Sequence, residues 1–206
     1  MKNVVFAALI GLSSSAALAS SIEARLAGGT SEIGDGIDKL EYDSTGFDLR
    51  GNFSLTPNLF LRGSVLSISA DEIEFEGDTF DADIKTTALR IGGGYEAPLG
   101  ASVVGYGALE YGSFEIEVDD ESDDDTGAVI SLGLKDIGTS AFLWQVELGY
   151  ATLKDVKGGT FDLTLGYRAT PKFAIVGGLQ SYVLEDKEDD TELTVGNAFI
   201  GGRFTF

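Results

Sequence analysis

The sequence predicts an all-β protein, a single antiparallel up-and-down β-barrel that crosses a membrane, and three observations support this. Runs of alternating apolar and polar residues recur along the chain, short turns alternate with longer connections, and the charges inside the runs fall mainly on one face. The composition agrees, with 28 Gly, 13 Phe and 7 Tyr but only 3 Pro in 206 residues. Since no segment after Leu12 has the roughly 18 consecutive apolar residues of a transmembrane helix, strands are the elements expected to cross.

The first 19 residues have the features of a secretory signal peptide. Lys2 is basic, an apolar run extends from Val4 to Leu12, and Ala17-Leu18-Ala19 precedes Ser20. We therefore expect a signal peptide over residues 1–19 and a barrel domain over residues 20–206. A buried N-terminal helix is the alternative. The chain has no Cys, so it has no lipid-attachment cysteine.

Four short turns divide the chain. Three contain Pro (residues 56–58, 97–100 and 170–172), and the fourth, residues 136–140, contains Gly138. Longer connections are expected around residues 31–43, 70–84, 117–125, 153–159 and 185–191. Outer-membrane barrels show this alternation of short periplasmic turns and long external loops.

These turns flank eight strands, and the C-terminal run adds a ninth. A closed antiparallel barrel of one chain needs an even number, so the alternating segment 22–30 supplies the tenth. The ten predicted strands are 22–30, 45–55, 59–69, 85–97, 101–116, 127–135, 141–152, 160–169, 173–184 and 192–206. Eight strands is the alternative count.

Charged residues identify the face that points into the lumen. All six arginines lie opposite the main apolar face, whereas a soluble lipid-carrier barrel is apolar inside and charged outside. The predicted lumen charge network is Glu23, Arg25, Asp48, Arg50, Arg62, Arg90, Glu96, Glu110, Lys135, Glu147, Asp162, Arg168 and Arg203. In the third strand Leu66 and Ile68 share the parity of Arg62, and a bulge there would switch the faces.

Aromatic residues near the strand ends predict two membrane-interface girdles. Phe142 to Tyr150 covers roughly 26 Å along a strand at ~3.3 Å per residue, which is roughly 20 Å of membrane normal at a tilt of about 40°. The predicted girdles are Tyr95, Trp144, Tyr167, Phe173 and Phe206 near the short turns, and Phe47, Tyr111 and Tyr150 nearer the loops.

The C-terminal run, residues 191–206, carries the clearest resemblance to known proteins. Gly201, Phe204 and Phe206 resemble the C-terminal insertion signal of Gram-negative outer-membrane barrels, although Phe199 stands where that signal has a polar residue. Further similarities are Gly46-Phe47, the turn exit Asn58 to Leu61, and the strand ends Gly94-Tyr95 and Gly166-Tyr167.

Over residues 20–206 the chain is similar to the small Gram-negative outer-membrane barrel families, OmpA-like and porin-family proteins of eight to ten strands. The resemblance implies a location in the outer membrane and contact with its lipid and lipopolysaccharide. It also implies the barrel-assembly machinery and periplasmic chaperones as partners during biogenesis.

The composition disfavours enzymatic chemistry and nucleic-acid binding. The resemblance implies that enzymes of this size in the outer membrane use a catalytic His. This chain has no His and no Cys. We expect no enzyme activity, no cofactor and no dedicated metal site. A net charge of −20 would repel nucleic acid.

Three acidic segments are expected to be solvated external loops. Their acidic residues are Glu72, Glu74, Glu76, Asp78, Asp81 and Asp83; Asp119, Asp120, Glu121, Asp123, Asp124 and Asp125; and Glu185, Asp186, Glu188, Asp189 and Asp190. Their spacing does not match an EF-hand. Weak binding of divalent cations that bridge to lipopolysaccharide remains a hypothesis.

Three functions are compatible with these sequence features. The first is a monomeric outer-membrane barrel with a structural or surface-interaction role and a lumen filled by charges. The second is a narrow, cation-preferring, porin-like channel. The third, a soluble periplasmic lipid-binding barrel, is opposed by the polar inner face.

Overall fold

The structure, a computed structural model, is a closed antiparallel barrel of ten strands. It describes residues 20–34, 39–75, 78–118, 121–187 and 191–206, so the expected signal peptide lies outside the described residues. The strands are β1 Ser21–Gly34, β2 Lys39–Ser54, β3 Leu59–Phe75, β4 Asp78–Pro98, β5 Val103–Val118, β6 Glu121–Asp136, β7 Phe142–Leu153, β8 Val156–Thr170, β9 Phe173–Asp186 and β10 Glu192–Thr205. Ten strands are confirmed, and the alternative of eight is wrong. No helix in the described residues is long and apolar enough to cross a membrane.

The barrel closes where the first strand meets the last. β1 pairs with β10 from Ser21 opposite Thr205 to Gly34 opposite Glu192. Beyond this ladder, Ser20 N donates to Phe206 O at 3.3 Å and Phe206 N donates to Ser20 O at 3.0 Å. Both ends of the barrel domain therefore lie at the same end of the barrel, as an even number of strands requires.

Two of the proline turns are stabilised by the same hydrogen bond, from a backbone N–H to a threonine hydroxyl. The hydroxyl of Thr56, just before Pro57, accepts the backbone N–H of Leu59 at 3.0 Å. Thr170 Oγ1, before Pro171, accepts the N–H of Phe173 at 3.0 Å. Threonine thus satisfies a backbone donor that the turn leaves free, while proline presets the backbone angle.

The predicted long connections are largely wrong, because most of their residues are paired strand. β3 and β4 pair as far as Phe75 opposite Asp78, and β5 and β6 pair as far as Val118 opposite Glu121. β4 has 21 residues, about 70 Å of strand at ~3.3 Å per residue. Since the apolar band is ~25 Å tall, the strands continue well beyond the lipid.

The outer surface has an apolar belt over the half of the barrel that carries the short turns. Phe142 and Leu132 point outward there and are 72% and 68% exposed. The predicted girdle residues point outward as well, with Tyr95, Trp144, Tyr167 and Phe173 toward the short turns and Phe47, Tyr111 and Tyr150 at the other edge. Past that upper edge the outward residues become polar. Examples are Asp43, Ser69, Lys85 and Glu115.

The inner surface has two parts, of which the sequence predicted one. Charged residues fill the half inside the apolar belt, and an apolar cluster fills the half beyond it. This apolar layer consists of Ala27, Leu66, Ile68, Ala88, Phe114, Val129, Ala151, Leu153, Tyr182, Leu184, Leu193, Val195 and Phe199. At the upper edge of the apolar belt, the inner face therefore changes from charged to apolar, and the outer face changes from apolar to polar.

The bulge considered in the third strand is wrong. β3 pairs with β4 in one continuous register from Leu59 opposite Tyr95 to Ala70 opposite Ile84. Leu66 and Ile68 therefore keep the parity of Arg62 and point inward, where they are 2% and 1% exposed. They belong to the apolar layer, and no switch of faces is needed.

Candidate functional site: the barrel lumen and its outer end

One ionic cluster is centred on Arg25 of β1. Its Nη1 lies 3.0 Å from Asp162 Oδ2 and 3.4 Å from Asp48 Oδ2, and its Nε contacts Glu23. Arg50 binds the same two aspartates, at 2.7 Å to Asp48 and 2.8 Å to Asp162. Two cations thus share three carboxylates from β1, β2 and β8, and the arrangement ties opposite walls of the barrel together.

A second ionic cluster is centred on Glu147 of β7. Arg62 Nη1 contacts Glu147 Oε2 at 2.5 Å, and Tyr106 donates its hydroxyl to the same oxygen at 2.7 Å. Arg90 lies 3.1 Å from Glu110, which Arg62 also contacts. β3, β4, β5 and β7 each contribute to this cluster.

The remaining predicted lumen charges form pairs nearer the short turns. Lys135 pairs with Glu96, and Arg203 pairs with Glu23. Arg168 pairs at 2.8 Å with Asp136, a lumen charge that the sequence pattern does not reveal because Asp136 falls in a predicted turn. The structure places all thirteen predicted residues inside the barrel and in ion pairs. With Asp136, the paired charges described in the half of the lumen inside the apolar belt are seven cations and seven anions.

Phe199, the departure from the expected C-terminal pattern, connects the ionic and apolar parts of the lumen. It points inward, is 6% exposed, and its ring centre lies 3.7 Å from the guanidinium carbon of Arg25. A cation over an aromatic face is a favourable contact. The residue therefore covers the ionic cluster with a ring that also belongs to the apolar layer.

A cavity of about 320 Å³ opens at the short-turn end. Its wall includes Arg50, Arg62, Arg203, Lys135 and Gln145. The cavity ends at the two ionic clusters. Beyond them the apolar layer begins, and Val195, Ile68 and Leu66 of that layer are 0%, 1% and 2% exposed. In the described part of the chain, the lumen thus has a polar vestibule at the short-turn end and an apolar layer beyond it.

The predicted insertion-signal residues lie on both faces of β10. Phe204 and Phe206 point outward, are 47% and 45% exposed, and stack with ring centres 6.1 Å apart. Gly201 points inward, where a Cβ would lie 2.1 Å from the carbonyl oxygen of Ala24 on β1. Only glycine fits at this seam between the first and last strands.

At the outer end of the barrel, Asp125 of β6 holds the turn between β7 and β8. Its carboxylate accepts the backbone N–H groups of Lys154, Asp155 and Val156 at 2.9, 2.8 and 2.9 Å, and that of Thr126 at 2.7 Å. Burial alone would raise the pKa of Asp125. The four hydrogen bonds lower this pKa by more than burial raises it, so it lies below its ordinary value. The charged form of Asp125 therefore stabilises this turn.

Replacing Asp125 with Asn should loosen that turn. We expect amide exchange at residues 154–156 to accelerate about fivefold, a loss of about 1 kcal/mol, because a charged acceptor becomes neutral at a partly exposed site. Because the carboxyl pKa is lower in the folded protein, the charged carboxylate stabilises the fold at any pH above the unfolded pKa of ~3.9. This stabilisation is lost as the pH falls below that value. Wild-type protection factors should hold from neutral pH to about 4, then fall toward those of Asp125→Asn, a pH dependence that the variant lacks. Identical profiles for the two proteins would contradict this role.

The acidic residues that the structure describes do not converge on a metal site. Asp123 and Asp125 lie on the inner face of β6 and Asp124 on the outer face, because strand residues alternate. Within the described ranges, no group of three or more Asp or Glu side chains is placed to hold a metal ion. Outside the described residues lie Glu76, Asp119, Asp120, Glu188, Asp189 and Asp190.

A family model described as outer membrane protein beta-barrel domain matches residues 4–168. The chain belongs to this family. Like other members, it is a Gram-negative outer-membrane barrel, so the soluble periplasmic alternative is wrong. In this location the apolar belt of the barrel faces lipid.

Several solved structures are similar to this chain at low sequence identity. The protease OmpT of Escherichia coli is 10% identical, with a TM-score of 0.53 over 91% of this chain and 97% of that one. Ail of Yersinia pestis, solved with the heparin analogue sucrose octasulfate, is 17% identical, with a TM-score of 0.49 over 91% and 98%. OprG of Pseudomonas aeruginosa is 15% identical, with a TM-score of 0.47 over 91% and 95%. No curated protein matches the sequence significantly. The likeness to OmpT, the one of these three with a TM-score above 0.5, shows the fold alone.

Proposed function

We propose that this protein is a closed outer-membrane barrel that displays an acidic β-surface outside the cell. The observation that carries the proposal is the apolar layer across the outer half of the lumen. It contains side chains such as Leu66, Ile68 and Val195 that are at most 2% exposed. Because this layer is mostly apolar, a hydrated ion would find few partners there to replace its water.

The distribution of charge supports display as the role. The seven cations and seven anions of the lumen neutralise one another, so the net charge of −20 arises elsewhere in the chain. The parts of β3 to β6 that stay paired beyond the apolar belt are called the acidic extensions. Acidic residues are dense on them, for example Asp81, Glu117 and Asp124. Fixing such residues on paired strands gives a surface of defined shape, which a flexible loop would not.

We also propose that the barrel has no enzymatic role. The chain has no His and no Cys, so neither the serine–histidine nor the cysteine–histidine arrangement is available. The carboxylates of the lumen are engaged with arginines and lysines. A carboxylate held by two cations is a poor proton acceptor, because the cations stabilise its charged form.

A channel for small cations is the second candidate, and the vestibule of about 320 Å³ is the observation that favours it. Conduction would require the side chains of the apolar layer to move apart and open a path for ions. We regard a monomer in contact with outer-membrane lipid and lipopolysaccharide as the working form, and weak divalent-cation bridging at the acidic extensions as a further hypothesis for its surface. Gly201, Phe204 and Phe206 would act as the signal read by the barrel-assembly machinery, after periplasmic chaperones deliver a chain freed of residues 1–19.

Surface display is tested by thiol labelling, for which the cysteine-free chain is well suited. Asp124→Cys places a thiol on an exposed position of the outer extension, and Lys172→Cys places one in a short turn. A polymer-linked maleimide too large to cross the outer membrane should label Asp124→Cys on intact cells and Lys172→Cys only after permeabilisation. Labelling of Lys172→Cys alone on intact cells would contradict the orientation and the display role.

A further inference from the structure

The outer end of the barrel has a tall side and a low side. β3 and β4 pair as far as Phe75 and Asp78, and β5 pairs with β6 as far as Val118. Opposite them, β7 and β8 end at Leu153 and Val156. From Tyr111, at the upper edge of the apolar belt, to Val118 is seven steps, about 23 Å of strand. In the described part of the chain, the inner face of the tall side therefore extends above the low side.

That inner face is apolar and partly uncovered. Phe80 and Val118 lie on it and are 50% and 40% exposed. Below them Ile73, Ala82 and Ile116 pack against the small cluster of Tyr42, Ala70 and Ile84. The registers put Ile73 opposite Phe80 and Ile84 opposite Val118, so these side chains form one continuous surface. Water surrounds this part of the barrel, and exposed apolar surface of this kind is typical of interaction sites.

An acidic strand edge borders the apolar face. β6 pairs with β5 along residues 121–126, but its described pairing with β7 begins only at Gly127. Glu121 and Asp123 share the inner parity of β6 and are exposed. The same strand thus places two carboxylates beside the apolar face. An acidic edge also discourages pairing with strands that are not basic.

We propose that this face, formed by Ile73, Phe80, Ile116 and Val118 and bordered by Glu121 and Asp123, binds a basic amphipathic β-strand of a partner protein. The partner's apolar side chains cover Phe80 and Val118, and its lysines or arginines meet the two carboxylates. Charge selects the partner, since an acidic strand would be repelled. The inference rests on the proposed display function and specifies the partner class of that surface.

The test uses the full barrel in nanodiscs of zwitterionic lipid and a fluorescent eight-residue peptide in which lysine and valine alternate. We expect saturable binding that weakens as salt is added, and none by empty nanodiscs or with glutamate in place of lysine. Phe80→Ser/Val118→Ser should weaken binding about tenfold or more, because two buried side chains lose their apolar contact. Glu121→Gln/Asp123→Gln should weaken it similarly and remove the salt dependence.

The matched control is Glu115→Gln/Glu117→Gln, which removes the same charge from the outer face of neighbouring β5. It should bind the lysine peptide as wild type does. Equal binding by all four proteins, or none by wild type, would overturn the docking inference. Either result leaves the labelling of Asp124→Cys unchanged, so failure of this inference is distinguishable from failure of the display function.

Discussion

Arg25→Met is expected to cause the largest loss of stability of any single substitution in the lumen. Arg25 is 2% exposed and contacts Glu23, Asp48 and Asp162. Methionine keeps much of the volume but leaves three buried carboxylates with only Arg50 and Arg203 to neutralise them. Removing one partner of a buried ionic group typically costs about 3–5 kcal/mol. The measurement is reversible urea unfolding of the barrel in lipid vesicles, followed by tryptophan fluorescence from Trp144.

Two further variants separate the ionic effect from a general loss of packing. Lys157→Met removes the exposed pair with Glu185 and should cost less than about 1 kcal/mol. In Arg25→Met/Asp162→Asn one orphaned carboxylate is also removed, so the double variant should be more stable than the sum of its single changes predicts. Additive losses, or equal losses for Arg25→Met and Lys157→Met, would show that the lumen cluster does not stabilise the barrel in this way.

Gly158→Ala should impair folding, whereas Gly159→Ala should be nearly neutral. A Cβ on Gly158 would lie 1.9 Å from the carbonyl oxygen of Val183 in β9, and a Cβ on Gly159 would have no heavy atom within 4 Å. The obstacle at Gly158 is backbone, so strand β8 must move away from β9. Forced overpacking of this kind costs about 1–3 kcal/mol or more.

The two glycines are neighbours on the same strand, so each is the control for the other. Heat-modifiable gel mobility reports the folded fraction after refolding from urea. We expect a reduced compact band for Gly158→Ala and a wild-type band for Gly159→Ala. Equal behaviour would mean that β8 and β9 are not as close there as the structure shows.

The sequence predicted the membrane-spanning half of the barrel well, because charges there are decisive. A side chain such as Arg62 or Arg90 is tolerated at this depth only on the inner face, so its parity identifies the lumen. A separate argument predicts the tenth strand, because a closed antiparallel barrel of one chain needs an even number of strands. The pairing of Arg168 with Asp136 was not predicted, because Asp136 directly precedes the short turn after β6 and carries no strand signal of its own.

The sequence predicts the outer half less well, because dense acidic residues favour solvated loops. The useful signal was the alternation of acidic and apolar residues, as in Phe114-Glu115-Ile116-Glu117-Val118. In the same strand the apolar residues Leu109 and Tyr111 point outward, whereas Phe114 and Ile116 point inward. The backbone parity is unchanged, and what changes is the surroundings, from lipid to water. The parity of residues alone does not show that the apolar face changes from outside to inside, because this change depends on where the membrane ends.

The closed lumen is tested most directly by the conductance of the purified wild-type barrel in planar bilayers. Insertion is verified by heat-modifiable mobility of the same preparation in vesicles. Because the apolar layer of Leu66, Ile68 and Val195 blocks the path beyond the vestibule, we predict no stable conductance steps at either polarity. Stable cation-selective steps that shrink when Asp123, Asp124 and Asp125 are replaced by Asn would contradict the closed barrel and favour the channel.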